Sequence, residues 1–145
     1  MGFAADMIKL CLCTLIFLSG LCKLTPKWGD DVYASMDNAF RERFTPFWQE
    51  NFFAPIGVEV DATVVKYIFG STEILCAVLL YTSYKAVSSI ILFGLMSFVV
   101  LAHIFLGEWA HLPMPLVLCF TSLGVCYIGA IPPAYGSGRG KVKAS

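Results

Sequence analysis

Four long apolar runs constrain the fold of this chain more than any other feature. They cover residues 7–24, 64–82, 86–106 and 112–133. Each run is close to the ~20 residues with which an α-helix crosses the ~30 Å hydrocarbon core of a bilayer. The sequence therefore predicts an all-α membrane protein. We expect a four-transmembrane-helix bundle over residues 1–133 and a disordered cytosolic tail over residues 134–145.

The composition supports a lipid environment and argues against several other classes of protein. Hydrophobic residues make up 58% of the chain, and ten basic residues balance ten acidic ones. Such a balance offers no basic surface for nucleic acid. The sequence contains no CxxC, HExxH, P-loop, GxGxxG or nucleophile-elbow motif. We therefore expect a non-enzymatic protein that binds the lipid bilayer and needs no metal ion or cofactor.

The first loop, residues 25–62, is long for so small a protein, which predicts a role for it. Asp30 or Asp31 can cap a helix that runs to about Phe44, before Pro46. An apolar stripe recurs every four residues at Val32, Met36, Phe40 and Phe44. The spacing predicts an amphipathic helix that lies on the membrane or on the bundle.

The loop continues into an aromatic-rich segment, residues 47–53, whose rings favour the membrane interface. Two interpretations remain open, and they are compatible. The loop is either a lid that covers the mouth of the bundle or a docking surface for a partner protein.

The ends of the spans indicate the orientation in the membrane. Pro26 stops the first helix, and Lys23 before it can reach the headgroups with its long stem. The basic residues Arg139, Lys141, Lys143 and Lys85 favour the cytosolic side. We therefore expect both termini and the 83–85 loop to be cytosolic, with the long loop in the lumen or outside the cell.

Two ionisable residues lie within the apolar runs and are candidates for functional groups. Glu73 is near the middle of the second predicted span, and His103 is about one turn from the end of the third. A carboxyl at that depth must face the bundle interior and find a partner, or stay protonated. Lys66 shares the face of Glu73 but is ~10 Å away along the axis, and Glu73 lies deeper in the membrane than His103, so the sequence does not identify the partner of Glu73. Two interpretations of Glu73 therefore remain open. It is either a buried, hydrogen-bonded residue that fixes helix packing or part of a proton, ion or quinone site.

The last five residues contain Lys141 and Lys143 in a KxKxx pattern. Coat proteins of the Golgi-to-endoplasmic-reticulum route read this pattern on cytosolic tails as an address. The alternative is a basic end that only follows the positive-inside rule.

Several stretches together resemble a known family. They are residues 20–27 with Lys23 and Pro26, residues 31–36 with Tyr33 and Met36, the aromatic Phe40, residues 70–73 with Glu73, His103, residues 107–108, and the closing residues 140–145. In order and spacing these resemble NACHO, the nicotinic acetylcholine receptor assembly chaperone family, which lies within the DoxX-like four-helix membrane proteins.

The resemblance implies an endoplasmic reticulum membrane protein that helps nicotinic receptor subunits fold, assemble and reach the cell surface. It implies receptor subunits as clients, and Lys23, Pro26, Tyr33, Met36, Phe40, Glu73 and His103 as partner-binding or structural residues. The wider DoxX-like resemblance leaves one alternative, a membrane subunit that binds quinone or supports a redox enzyme through Glu73 and His103.

Overall fold

A computed structural model describes residues 2–130, all of whose regular structure is helical. Six α-helices follow one another, with shorter helical turns between them: α1 Gly2–Leu24, α2 Asp30–Ala39, α3 Thr45–Trp48, α4 Ala62–Leu79, α5 Lys85–Phe105 and α6 Pro113–Ala130. The predicted tail, with Lys141 and Lys143, lies outside the described residues. The all-α prediction is confirmed for the part of the chain that the structure describes.

Three of these helices are long and apolar enough to cross a membrane, namely those over Asp6–Leu24, Ala62–Leu79 and Lys85–Phe105. The apolar part of α6, Pro113–Tyr127, is shorter. Their outer faces carry many exposed apolar side chains, as expected of surfaces that contact lipid tails. The structure is thus compatible with a helical membrane bundle.

The bundle is built from two closely packed pairs, α1 on α4 and α5 on α6, which meet along a shared core. Helices α4 and α5 are joined by a short turn, but each packs more extensively on another helix. At the centre of the core, Leu12, Ile16, Leu80 and Leu92 are almost fully buried.

A continuous helical segment, residues 30–56, lies across one end of the bundle, and we call it the lid segment. It runs through α2, a π-helical turn Phe40–Phe44, α3, a second π-helical turn Gln49–Phe53 and a 3₁₀ turn Ala54–Ile56. The predicted stop before Pro46 is wrong. A proline lacks an N–H and crowds the preceding turn, but the wider π-helical turn before α3 accommodates it without ending the helix.

The start of the lid segment also differs from the sequence prediction. Gly29, with φ of 144°, occupies the N-cap position, and no side chain caps the helix. Asp30 and Asp31 instead lie in the first turn, where their charge complements the helix dipole. A glycine is suited to this cap because a positive φ is costly for residues that carry a Cβ.

Aromatic packing holds the lid segment on the bundle. Phe40, Phe44 and Trp48 are buried together with Ala102 of α5. The Phe44 and Phe69 ring centroids are 5.3 Å apart at near-perpendicular planes, a favourable edge-to-face contact. Val32 of the predicted stripe is 47% exposed, so the stripe contacts the bundle only from its second member onward.

Candidate functional site

Helices α1 and α4 approach each other so closely that only glycine fits at their crossing. A Cβ added at Gly20 would lie 2.7 Å from the Gly70 carbonyl oxygen and 2.7 Å from Ile74 Cγ1. One turn beyond each glycine are Lys23 and Glu73. The close crossing therefore brings a cation of α1 within reach of a carboxylate of α4.

Lys23 and Glu73 form an ion pair in the interior of the bundle. The Lys23 Nζ donates to the two Glu73 carboxylate oxygens at 2.9 and 2.8 Å, and to Ser19 Oγ at 2.7 Å. Only 6% of Lys23 and 1% of Glu73 is exposed. A charge this deeply buried is tolerated only when it is paired and hydrogen-bonded, and both conditions are met.

The position of Lys23 corrects the expectation that it extends to the lipid headgroups. Side chains on a helix lean toward its N-terminus, so Lys23 turns back along α1 toward Ser19 and into the bundle. The partner of Glu73 is therefore neither Lys66 nor His103. Pro26, which follows α1, is exposed, begins a 3₁₀ turn and makes no part of this site.

Lys66 fastens α2 of the lid segment to α4. Its Nζ donates to the Asp37 carboxylate and, at 3.1 Å, to the Tyr33 hydroxyl oxygen. Asp37 also accepts from Arg41 Nε at 2.7 Å. Hydrogen bonds from Lys66 and then from Arg41 lower the pKa of Asp37 below its ordinary value, against the opposing effect of burial.

Glu108 fastens the other side of the lid segment to the turn between α5 and α6. Its carboxylate pairs with Arg43 of the first π-helical turn and lies 2.8 Å from His103 Nδ1 of α5. Burial would raise the pKa of Glu108, but the hydrogen bond with His103 and the Arg43 charge outweigh it, so this pKa is lowered. The His111 ring lies beside that of His103, with 6.0 Å between centroids.

The lid segment and the bundle enclose a cavity of about 330 Å³. Its inner end is formed by Lys23, Glu73 and Ser19, and its walls are mainly apolar. Its outer end is formed by Arg43, Glu108, His103 and His111. The cavity thus has an apolar middle between two polar ends.

Most of the residues predicted from the sequence surround this cavity. Lys23, Met36, Phe40, Glu73 and His103 all line it, whereas Tyr33 faces Lys66 outside it and Pro26 lies in the turn beyond α1. Sequence reasoning missed the ion-pair partners Asp37 and Arg43. The spacing of Asp37 and Arg41, four residues apart on one helix, was the available signal that Asp37 belongs to a charge network.

Among residues 2–130, no three His, Cys, Asp or Glu side chains come together in a way that could hold a metal ion. The site is a charge-balanced polar and apolar cavity in a helical bundle. It offers hydrogen bonds and apolar surface rather than a ligand set for a metal.

These features define a small helical membrane protein with a buried ion pair and a lid. The sequence model of the DoxX-like family matches residues 7–125. The chain therefore belongs to the DoxX-like family of membrane proteins. No curated protein matches the chain at a significant level. The broader part of the resemblance is confirmed, and the narrower resemblance to the receptor-assembly chaperones stays a prediction.

Proposed function

We propose that this DoxX-like protein is an endoplasmic reticulum membrane chaperone that promotes the folding and assembly of nicotinic acetylcholine receptor subunits. One observation carries the proposal. The stretches that resemble the chaperone family are far apart in sequence, yet Lys23, Met36, Phe40, Glu73 and His103 line one cavity. Residues that carry the resemblance and line one cavity support a common role for that cavity.

The proposed mechanism uses the outer surface of the lid segment. Unassembled receptor subunits present faces that neighbouring subunits later cover. Val32, Phe52 and Ile56 are 47%, 57% and 70% exposed on the lid segment and provide apolar surface for such faces. The pairs Lys66–Asp37 and Arg43–Glu108 hold this surface on the bundle. A neighbouring subunit would replace the chaperone once it docks.

Surface binding of labelled α-bungarotoxin tests this function in cells that express an α7-type subunit. With the protein present, we expect a several-fold rise in toxin binding at unchanged subunit transcript. The double change Val32→Ser with Ile56→Ser should abolish most of the rise in toxin binding. The control Ala34→Ser, at an exposed position on the same helix as Val32, should leave the rise unchanged. Unchanged toxin binding with wild-type protein resident in the endoplasmic reticulum would refute the proposal.

The proposed location rests on the sequence pattern of the tail. We place both termini in the cytosol, where Lys141 and Lys143 would be read by coat proteins, and the lid segment in the lumen. Replacing both lysines by alanine should move a measurable fraction of the protein to the cell surface. An unchanged distribution would remove the retrieval signal from the proposal and leave the chaperone activity to be judged separately.

We rank the redox alternative second because its two proposed proton carriers are already engaged. Each carboxylate oxygen of Glu73 accepts a hydrogen bond from Lys23, and His103 is hydrogen-bonded to Glu108. A quinone-reducing role would require one of these contacts to break during each turnover. Measurement of quinone reduction by purified protein, with Glu73→Gln as the comparison, separates the two functions.

A further inference from the structure

The cavity beneath the lid segment has the size of a ligand site. Its volume of about 330 Å³ is within the ~300–1,000 Å³ that small-molecule pockets occupy. An apolar cavity of about 150 Å³ accommodates benzene. By proportion, this cavity holds roughly a dozen non-hydrogen atoms.

The charges around the cavity are balanced in pairs. Lys23 contacts Glu73 at the inner end, and Arg43 contacts Glu108 at the outer end. A charged ligand would add an unpaired charge to a bundle interior where desolvation is costly. An uncharged ligand avoids this cost and still uses the oxygen lone pairs of Glu73 and Glu108 and the hydroxyl of Ser19.

The wall between the two ends favours an apolar body. Met36, Phe40 and Phe44 of the lid segment line the cavity together with Met96, Val99 and Leu118 of α5 and α6. Methionine side chains adapt to ligands of different shape, since they are unbranched and flexible. The wall therefore suits a flexible chain as well as a ring.

We propose that this cavity binds an uncharged amphiphile whose apolar body carries a hydroxyl or carbonyl group at each end. One end hydrogen-bonds beside the Lys23–Glu73 pair, and the other lies beside Arg43, Glu108 and His103. The source of this chemistry is either a free small molecule or the head of a neutral membrane lipid. The proposal is independent of the chaperone function.

Three compounds of equal chain length test the proposed chemistry, with the full chain reconstituted in nanodiscs. Radiolabelled decanediol carries a hydroxyl at each end, decane has no polar group, and decanedioate carries a carboxylate at each end. We expect saturable binding of decanediol and at least tenfold weaker saturable binding of the other two. Equal binding of decane, tighter binding of decanedioate, or no saturable decanediol binding would overturn the proposal.

Matched variants tie the binding to the cavity. Met36→Trp and Met114→Trp place a large ring in the lid wall and at the exposed edge of the cavity, and each should weaken decanediol binding at least tenfold. Val117→Trp puts the same ring on the outer face of α6, at a residue 57% exposed, and should leave binding unchanged. Helix content and elution volume identify any misfolded variant, and one folded cavity variant suffices. Unchanged binding in folded cavity variants, or equal loss in the control, would overturn the assignment.

Analysis of the molecules extracted from the purified protein distinguishes the two sources of the ligand. A stoichiometric neutral lipid that decanediol displaces would identify a membrane lipid, whereas saturable binding without such a lipid would identify a free small molecule. Displacement of a stoichiometric anionic lipid would contradict the uncharged ligand.

Discussion

The Lys23 ammonium lies 2.8 Å from a carboxylate oxygen of Glu73, and this pair joins the last turn of α1 to the interior of α4. The two residues are fifty positions apart in the chain. Their pairing depends on the glycine contact one turn away, where the α1 and α4 backbones nearly touch. The close glycine contact and the ion pair therefore join α1 to α4 in the same part of the bundle.

Removal of one member of this pair should be strongly destabilising. Lys23→Met or Glu73→Gln leaves the other group buried without its charged partner, which typically costs about 3–5 kcal/mol. The double variant Lys23→Met with Glu73→Gln should cost clearly less than the sum of the two single changes. Unfolding in mixed micelles gives these free energies. Lys85→Met, at an exposed position, is the control, and single-variant losses near that of the control would contradict the pairing.

Substitution of Gly20 by alanine should separate α1 from α4. Its Cβ would meet backbone and side-chain atoms at 2.7 Å, and overpacking of this kind typically costs about 1–3 kcal/mol. Gly94→Ala is the matched control, because a Cβ there meets nothing within 4 Å. The control should be neutral or stabilising, since alanine favours a helix interior by about 0.5–1 kcal/mol over glycine. Equal free energies of unfolding for the two variants would show that the helices are not in close contact.

Loss of Arg43 should loosen the lid segment without unfolding the bundle. Arg43→Gln removes the contact between the first π-helical turn and Glu108. We expect hydrogen exchange over residues 40–56 to become several-fold faster, with exchange in α5 unchanged. Glu42→Gln changes an exposed charge on the same turn and should leave the exchange rate near that of the wild type. Uniform acceleration throughout the protein would indicate general destabilisation instead.

The lid contact should also depend on pH through Glu108. Its pKa is lowered in the folded protein, against the effect of burial, by the His103 hydrogen bond and the Arg43 charge. The resulting stabilisation is fully present above the ordinary pKa of glutamate and is lost as the pH falls through the lowered folded pKa. The free energy of unfolding should therefore decrease over this acidic range.

In the Glu108→Gln variant, the part of the decrease in the free energy of unfolding that arises from Glu108 should be absent. Asp37, whose pKa is lowered in the same direction, should account for part of the remainder. A pH dependence that is identical in wild type and Glu108→Gln would contradict the assigned role of Glu108.

The long apolar runs made the helical class predictable, because burying backbone polar groups in lipid leaves little alternative to helices. The need of Glu73 for a buried partner was equally predictable from the cost of a charge at that depth. The identity of the partner was not, since the sequence gives no measure of how closely two helices cross. Likewise, Pro46 predicted a helix end, but neighbouring π-helical turns accommodate a proline in a way that residue spacing does not reveal.

The sequence by itself determined that this chain forms apolar helices joined by a long amphipathic segment, and that its few buried charges require partners. Only the tertiary structure decided which charges pair, because the Gly20–Gly70 contact sets the distance between α1 and α4. It also decided that Met36, Phe40 and His103 surround one cavity with that pair. Hydrophobic patterning is a property of neighbouring residues in the chain. Ion pairing and cavity shape depend on contacts between helices that are far apart in the sequence.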